Sequence, residues 1–449
     1  MKPSPAELRE LCEWAAGLSL ADIPQSIQAR MALVMADTVA CAAATADDAE
    51  LKAWAGSPQQ VQCPQRYGGE ATVLGTSLRL PRDAAARANA TQANWWQLDE
   101  GHHEVMCHAG LYCVPAGLAE SEAEGMPLDD LVLAVAVGYE VTCRVASAYR
   151  MDADAPHPHA LWSGVGAAAT LAAARRFSPH EFMAALDLAG ACMPDSAPFA
   201  LVLQGALVAN TWAGMGVEAG FACAASAREL PQAPVGALHE SLTCRGAKLN
   251  PAALKSGLGE QWAVQRNYHK LMACGGQSHA AIEALLQARL ALKGCGAGHP
   301  LAHVQAQVHA FAAGMSEREP STSLAARFSI PHLLAVAWIH GRTDAQALGA
   351  LYLHDSAVGN LRRRVVLQER VAAPPPNHRA ACVTVSLPDG TSAHGLCLAA
   401  PGSAGNPVPA RTIAAKCREM GGNLAGGKHA GLLEALLKFP PSASVWTQE

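Results

Sequence analysis

The chain has 449 residues, of which 50% are apolar, 16% charged and 5% aromatic. Lysine and arginine total 33 against 38 aspartates and glutamates, which gives a formal net charge of −5 without a basic block. This composition excludes a disordered chain and argues against nucleic acid or an anionic membrane as the main partner. It is typical of a globular protein of two or three domains.

The N-terminal segment MKPSPAELRELCEWAAGL carries charged residues inside its apolar periodicity, which predicts a helix and not a signal peptide. The longest apolar runs, at 131–139 and 333–339, are shorter than the roughly 20 residues that a membrane helix needs. The 14 cysteines are scattered without a CxxC pair, so neither a disulfide framework nor a structural zinc site is indicated. We therefore expect a cytoplasmic protein with reduced thiols and no membrane partner.

Alanine-rich segments with helical periodicity dominate the chain from its start to about residue 290. In DDLVLAVAVGYEVTCRVASAY and SGVGAAATLAAARRF, apolar residues recur at three- and four-residue spacing, and small residues between them allow helices to approach closely. This part of the sequence predicts a mainly helical domain.

The pattern changes near residue 301. AHVQAQVHAF alternates, RRRVVLQERV is β-branched, and CVTVSLPDGTSAHGLCL predicts a hairpin around Asp389-Gly390. After the connector PGSAGNPVP, RTIAAKCREMGG and HAGLLEALLKF are helical again. We predict a mainly α fold, in which a large all-helical domain of residues 1–265 plus 403–449 carries an inserted smaller α+β lid domain of residues 266–402.

Three segments carry titratable groups. The first, NWWQLDEGHHEVMCHAG, contains Asp99, Glu100, His102, His103, Glu104 and His108. Burying so many titratable groups is costly unless they serve one another or a ligand. A solvated polar loop and a metal site are the alternatives, although no HExxH-like spacing supports a metal.

In the second segment, DAPHPHALWSGVGAAAT, His157 and His159 precede a helix. A helix N-terminus favours the neutral imidazole, which suits a general base, but such a residue is also a common turn or cap. In the third, NYHKLMACGGQSHAAIEALL, Lys270 precedes a Cys-Gly-Gly turn and His279 begins a helix. The lysine either holds a carboxylate or lies on the surface.

An ordered series of segments resembles one enzyme family over nearly the whole chain. The segments are LSLADIPQSIQARMALVMADTVACAAA, ATVLGTSLRLPRDAAARANATQAN, DDLVLAVAVGYEVTCRV, HPHALWSGVGAAATLAAARRFSPHEFMAALDLAG and RFSIPHLLAVAWIHG. Together they are similar to the MmgE/PrpD family, which includes 2-methylcitrate dehydratases, cis-aconitate decarboxylases and iminodisuccinate epimerases. The resemblance implies a homodimer, an active site between the two domains, a small carboxylic-acid substrate, and proton transfer next to a carboxylate without metal or organic cofactor.

The resemblance also implies functional residues. Asp99, His108 and His157 match family positions in the first two segments, and Lys270 with His279 matches the segment that begins the lid. Two positions depart from the family pattern: Ala209 stands where a substrate-binding lysine is usual, and His332 stands where a tyrosine is common. These departures suggest a substrate with fewer carboxylates or a different reaction on the same scaffold.

We therefore predict a cofactor-independent lyase, either a dehydratase or a decarboxylase. An epimerase of the iminodisuccinate type and a diverged member with an unrelated substrate or a binding role are the alternatives. The predicted catalytic residues are Asp99, His108, His157 and His332; the predicted substrate-binding residues are Lys270, His102 and His279; and no metal ligand is predicted. His108 and His157 are expected to supply base and acid in an order that the sequence leaves open, and His332 is expected to converge with them on one cleft.

Overall fold

The computed structural model describes residues 4–55, 69–102, 104–151, 155–229, 236–292, 294–371, 378–424 and 427–440. Helices predominate in these residues. They are Ala6–Gly17, Gln25–Thr45, Ala49–Ala55, Arg82–Trp95, Ala109–Glu124, Leu128–Ala148, Pro158–Ala174, Pro179–Ala191, Ala200–Leu203, Trp212–Glu229, Ala237–Cys244, Ala252–Lys255, His279–Ala291, Ala310–Ala313, Ser323–Arg327, Ile330–His340, Ser356–Arg362, Ala410–Met420 and Lys428–Leu437.

One four-stranded mixed sheet accounts for most of the strand residues. In chain order its strands are β1 (His303–Val308), β2 (Val365–Glu369), β3 (Ala381–Ser386) and β4 (Ser392–Cys397). The spatial order is β4-β3-β1-β2, with β1 and β2 parallel and the other pairs antiparallel. The alternating and β-branched segments that predicted strands are confirmed, because all of them lie in this sheet.

The hairpin predicted at Asp389-Gly390 is confirmed by the antiparallel pairing of β3 with β4. Gly390 has φ of 87°, a left-handed conformation in which a side chain would be strained. The backbone N–H of Thr391 donates to Asp389 Oδ1 at 2.8 Å, which holds the turn closed.

The predicted all-helical part also contains strands: two antiparallel pairs of two-residue strands connect its segments, and a third joins it to the start of the predicted lid. These pairs join Ala71–Thr72 to Arg79–Leu80, Gly101–His102 to Asn267–Tyr268, and Tyr149–Arg150 to Lys248–Leu249. Two-residue bridges carry almost no periodicity, so the sequence gives no signal for them. The pair of Gly101–His102 with Asn267–Tyr268 matters most, since it ties the first histidine-bearing segment to the third.

Small residues allow the helices of the large core to approach closely. Helix Pro158–Ala174 packs along helix Trp212–Glu229, and a Cβ added at Gly216 would lie 1.8 Å from Ser163 Oγ. The Gly/Ala-rich pattern of SGVGAAAT therefore serves close helix contact, as predicted.

Buried apolar side chains of the described residues form two clusters. One runs from Leu8 to Ala273 and resumes at Ile413, so the first and last helices share a core. The other covers Met272 and the residues from Cys274 to Ala400, together with Val202 and Ala209. The two clusters are consistent with a helical domain and an inserted lid domain. The limits of these domains, 265/266 and 402/403, stay a prediction.

Among the described residues, two helices are long and apolar enough by composition to cross a bilayer, Gln25–Thr45 and Leu128–Ala148. Their uninterrupted apolar runs are short because charged residues such as Asp37 and Glu140 lie within the helices. Their most apolar windows are 89% and 94% buried inside the protein, as expected of central core helices.

Candidate active site

Two helix termini and one short strand pair position the titratable groups around a cleft. His108 immediately precedes helix Ala109–Glu124, and His157 caps helix Pro158–Ala174, with Pro158 in the first helical turn. Strand Gly101–His102 pairs with Asn267–Tyr268, which brings Lys270 to the same place. His102, His108, His157, His159 and Lys270 all line one cleft of about 600 Å³ that is partly open to solvent.

Asp99 lies beneath the cleft and binds two of these groups. Its Oδ2 is 2.6 Å from His108 Nδ1, and its Oδ1 accepts from Lys270 Nζ at 3.1 Å. Burial would raise the pKa of Asp99, but the Lys270 ammonium and His108 overcome it and hold this pKa well below the ordinary range. Asp99 is therefore ionised, and both alternatives for these residues, a solvated loop and a surface lysine, are wrong.

The hydrogen bonds of His108 fix its tautomer. Its Nδ1 faces two acceptors, Asp99 Oδ2 and the carbonyl of Glu100 at 2.8 Å, so Nδ1 carries the proton and donates. In the neutral ring, Nε2 then keeps a free lone pair. With its side chain 19% exposed at the cleft, His108 can accept a proton from a bound molecule.

His157 has the opposite arrangement. Its Nδ1 accepts from the backbone N–H of His159 at 3.2 Å, so the proton of the neutral ring lies on Nε2. Burial and the nearby His108 lower the pKa of His157 to about 3, so the ring is neutral at physiological pH. His157 thus acts as a neutral hydrogen-bond donor on the cleft wall.

His159 lies between the other two histidines. Its ring centroid is 5.0 Å from that of His108 and 4.5 Å from that of His157, and its Nδ1 is 2.9 Å from the Tyr112 hydroxyl. Burial and His157 lower the pKa of His159 well below its ordinary value. The sequence singled it out only as a neighbour of His157, because alternate residues at a helix start do not reveal which one faces a ligand.

Glu100 is a buried acid behind the same loop. Its Oε1 accepts from the Gly110 backbone N–H at 2.8 Å, and the Tyr139 hydroxyl is 3.1 Å from Oε2. Burial, aided by the charge of Asp99, raises the pKa of Glu100 to about 8. The carboxyl is therefore mostly protonated at neutral pH and does not compete with Asp99 for Lys270.

This raised pKa predicts a specific pH dependence of stability. The folded chain keeps the Glu100 proton up to about pH 8, whereas the unfolded chain releases it near pH 4.5. The contribution of this proton to the free energy of unfolding is therefore complete below pH 4.5 and is lost as pH rises through 8. We expect Glu100→Gln to gain stability relative to the wild type as pH rises from about 5 to about 8. Urea unfolding across this range measures the difference; Glu104→Gln, at an exposed position, is the matched control, and parallel curves for wild type and Glu100→Gln would contradict the assignment.

A second carboxylate lies behind the cleft with the same kinds of partner. Asp37 pairs with Lys416 Nζ at 2.6 Å and with His269 Nδ1 at 2.8 Å. Lys416 also donates to the carbonyls of Leu98 at 3.0 Å and Lys270 at 2.9 Å. Lys416 therefore fixes the backbone next to Asp99 and at Lys270. Nothing in the sequence indicated this role, because Lys416 lies in an ordinary amphipathic helix.

His279 and His332 are placed differently from the prediction. His279 lines a neighbouring cavity with His269, Tyr268 and Arg379, and its Nε2 is 3.3 Å from the Cys274 carbonyl. His332 does not line the cleft: it is fully buried, with Nδ1 3.5 Å from Arg362 Nη1. His332 is therefore not among the residues that line this cleft, and a role for it in the site stays a prediction.

Other cleft residues carried no sequence signal. Arg379, Tyr268, Phe199 and Phe328 line it beside the histidines. Gln97 also does so with φ of 55°, an unusual left-handed conformation for a side-chain-bearing residue, and its Nε2 donates to Asn210 Oδ1 at 3.1 Å. Ala209 is buried immediately before Asn210, the residue whose Oδ1 accepts from Gln97.

Within the described part of the chain, no group of three or more His, Cys, Asp or Glu side chains has an arrangement that could hold a metal ion. The cleft histidines instead have protein hydrogen-bond partners for Nδ1, as described above. Thirteen cysteines are described and all are free thiols.

Comparison with protein-family models matches both halves of the chain. The MmgE/PrpD N-terminal domain matches residues 9–235, and the MmgE/PrpD C-terminal domain matches residues 272–435. The chain belongs to the MmgE/PrpD family. The two matches leave residues 236–271 between them, and Lys270 lies at the end of this interval, just before the C-terminal match begins.

Curated MmgE/PrpD relatives are decarboxylases by name. A cis-aconitate decarboxylase of Aspergillus terreus is 27% identical over 361 residues, which cover 73% of this chain and 70% of the relative. A cis-aconitate decarboxylase-like protein, oryM, of Aspergillus oryzae is 25% identical over 296 residues, which cover 62% of this chain and 60% of the relative. Sequence identity of this size is consistent with a shared fold but does not establish the substrate of this chain.

Proposed function

We propose that this protein is a cofactor-independent lyase that moves a proton at a carbon next to a carboxylate of a small polycarboxylic acid, with decarboxylation as its leading reaction. The single observation that carries the proposal is the pair of fixed tautomers at one cleft: His108 has a lone pair at Nε2, and His157 has a hydrogen-bond donor at Nε2. The decarboxylases among the relatives support the choice of reaction.

His108 transfers the proton, as a base in dehydration and, in its protonated form, as an acid in decarboxylation. A proton next to a carboxylate is weakly acidic, so its removal needs a placed acceptor, and general base catalysis contributes roughly 10²–10⁴-fold. Asp99 holds the imidazole by Nδ1 and stabilises the imidazolium that forms when Nε2 takes the proton.

His157 and Lys270 stabilise the charge that develops on the substrate. The neutral His157 donates from Nε2, and Lys270 retains donor hydrogens beyond the one it gives to Asp99. In decarboxylation no proton leaves carbon: the C–C electron pair left when carbon dioxide departs is taken up by the remaining carbon framework, and a carbon there takes its proton from Nε2 of the His108 imidazolium. In dehydration, Nε2 of neutral His108 takes the proton from carbon, and the imidazolium so formed protonates the departing hydroxyl, which leaves as water.

The reaction takes place between a helical domain of residues 1–265 with 403–449 and a lid of residues 266–402. The two buried clusters support this division, and Lys270 near the junction couples the lid to Asp99. The homodimer rests on the family resemblance, and light scattering after size-exclusion chromatography tests it.

Product analysis in deuterated water is the deciding experiment. The purified protein is incubated with cis-aconitate, with hydroxytricarboxylates and with amino- and iminodicarboxylates, and products are followed by NMR. We expect carbon dioxide and a new unsaturated acid, undiminished after exhaustive chelation. Deuterium incorporated into an intact carbon skeleton would instead establish an epimerase, and restoration of a lost activity by one divalent ion would overturn cofactor independence.

A further inference from the structure

The cleft contains two permanently cationic side chains, and their surroundings differ. The residues that line the cleft include Lys270 and Arg379 but no aspartate or glutamate. The charge of Lys270 is compensated by Asp99 beneath the cleft, with 3.1 Å between Lys270 Nζ and Asp99 Oδ1. For Arg379, the described residues supply neither an ion pair nor a hydrogen bond, and its Nε is buried without a partner.

Arg379 is nevertheless held in position. Its guanidinium carbon lies 5.2 Å from the centre of the Tyr268 ring, in cation–π contact. The Gly276 backbone lies close to the guanidinium. A Cβ added at Gly276 would be only 3.3 Å from Arg379 Nη1, and glycine has no such atom. A preorganised guanidinium with free donors at a cleft wall is suited to a carboxylate, which it can bind through two parallel hydrogen bonds.

We infer that Arg379 binds a second substrate carboxylate, remote from the reacting carbon, and supplies from the lid the positive charge that Ala209 lacks. This inference rests on the proposed function and names its substrate class: acids with at least two carboxylates, one for Lys270 and one for Arg379. An excess positive charge in a cleft with no acid of its own favours such anions over neutral or singly charged ones.

The test is a binding measurement that needs no turnover. Propane-1,2,3-tricarboxylate, a saturated probe, is titrated calorimetrically into wild type, Arg379→Gln, Arg379→Lys and Arg418→Gln. Arg418 is an exposed arginine paired with Glu434 and is the matched control for the loss of one cation. We expect Arg379→Gln to weaken binding roughly 10- to 100-fold, Arg379→Lys to weaken it less, and Arg418→Gln to leave it unchanged. Added salt should weaken wild-type binding more than that of Arg379→Gln.

Binding of Arg379→Gln within twofold of the wild type would overturn the inference, as would failure of the wild type to bind the probe. The outcome is separable from that of the proposed function. Arg379-dependent binding without any turnover of cis-aconitate would refute the lyase and leave the carboxylate site standing. If the wild type turns over cis-aconitate and Arg379→Gln has unchanged KM and unchanged affinity for the probe, the lyase stands and the carboxylate site at Arg379 is refuted.

Discussion

His108→Gln should lower kcat by roughly 10²–10⁴-fold while the protein stays folded, because the amide can neither take a proton from carbon nor deliver one to it. The glutamine retains a side chain of similar reach at the mouth of the cleft, so substrate binding should change far less than turnover. His180→Gln, at an exposed position in the first turn of helix Pro179–Ala191, is the matched control and should leave kcat unchanged. Steady-state kinetics with circular dichroism of each variant measure both quantities.

His157→Gln provides the companion measurement. Its amide can still donate a hydrogen bond, as the neutral ring does, so we expect kcat to fall much less than in His108→Gln; an equal fall would show that His157 itself transfers a proton. A fall of less than about tenfold would fit a polar donor. If His108→Gln kept wild-type kcat, the assignment of proton transfer to His108 would be wrong, whatever His157→Gln did.

The second large effect is on stability. Lys416→Met should lower the free energy of unfolding by about 3–5 kcal/mol, since it leaves Asp37 buried with only a neutral histidine as partner. Burial would raise the pKa of Asp37, but Lys416 and His269 hold it below its ordinary range, which shows how strongly the carboxylate depends on this ammonium. Burial lowers the pKa of His269, so His269 does not replace the lost charge.

Two further variants make the stability measurement specific. Lys255→Met removes an exposed partner of Glu10 and should cost less than about 1 kcal/mol. Asp37→Asn combined with Lys416→Met removes both buried charges and should recover much of the loss. Denaturant unfolding of all three variants gives the comparison, and equal losses in Lys416→Met and Lys255→Met would contradict the buried-charge argument.

Periodicity and turn chemistry predicted the elements well where each element repeats its pattern. The strands His303–Val308 and Val365–Glu369 and the hairpin at Asp389-Gly390 follow from alternation and one Asp-Gly pair. The two-residue strand pairs could not be found in this way, because their pairing depends on tertiary contacts between segments far apart in sequence.

The candidate site was predictable where chemistry was concentrated locally. Asp99, His108 and His157 lie in segments whose composition is hard to explain by folding alone. Arg379 and Lys416 were not found, because a single arginine or lysine looks like a solvated surface charge until the fold supplies its neighbours. His332 is the opposite case: position in a family motif suggested a role, but its side chain is buried and does not line the cleft.

The contacts of Lys416 have a consequence for how the protein comes into being on the ribosome. Asp37, Leu98 and Lys270 are all synthesised before the one side chain that joins them, and helix Ala410–Met420 must leave the exit tunnel before Lys416 can reach them. A nascent chain that stops short of this helix has every cleft histidine but lacks the ammonium that fixes the backbone beside Asp99. The backbone beside Asp99 and at Lys270 is therefore fixed late in translation, only after helix Ala410–Met420 has emerged.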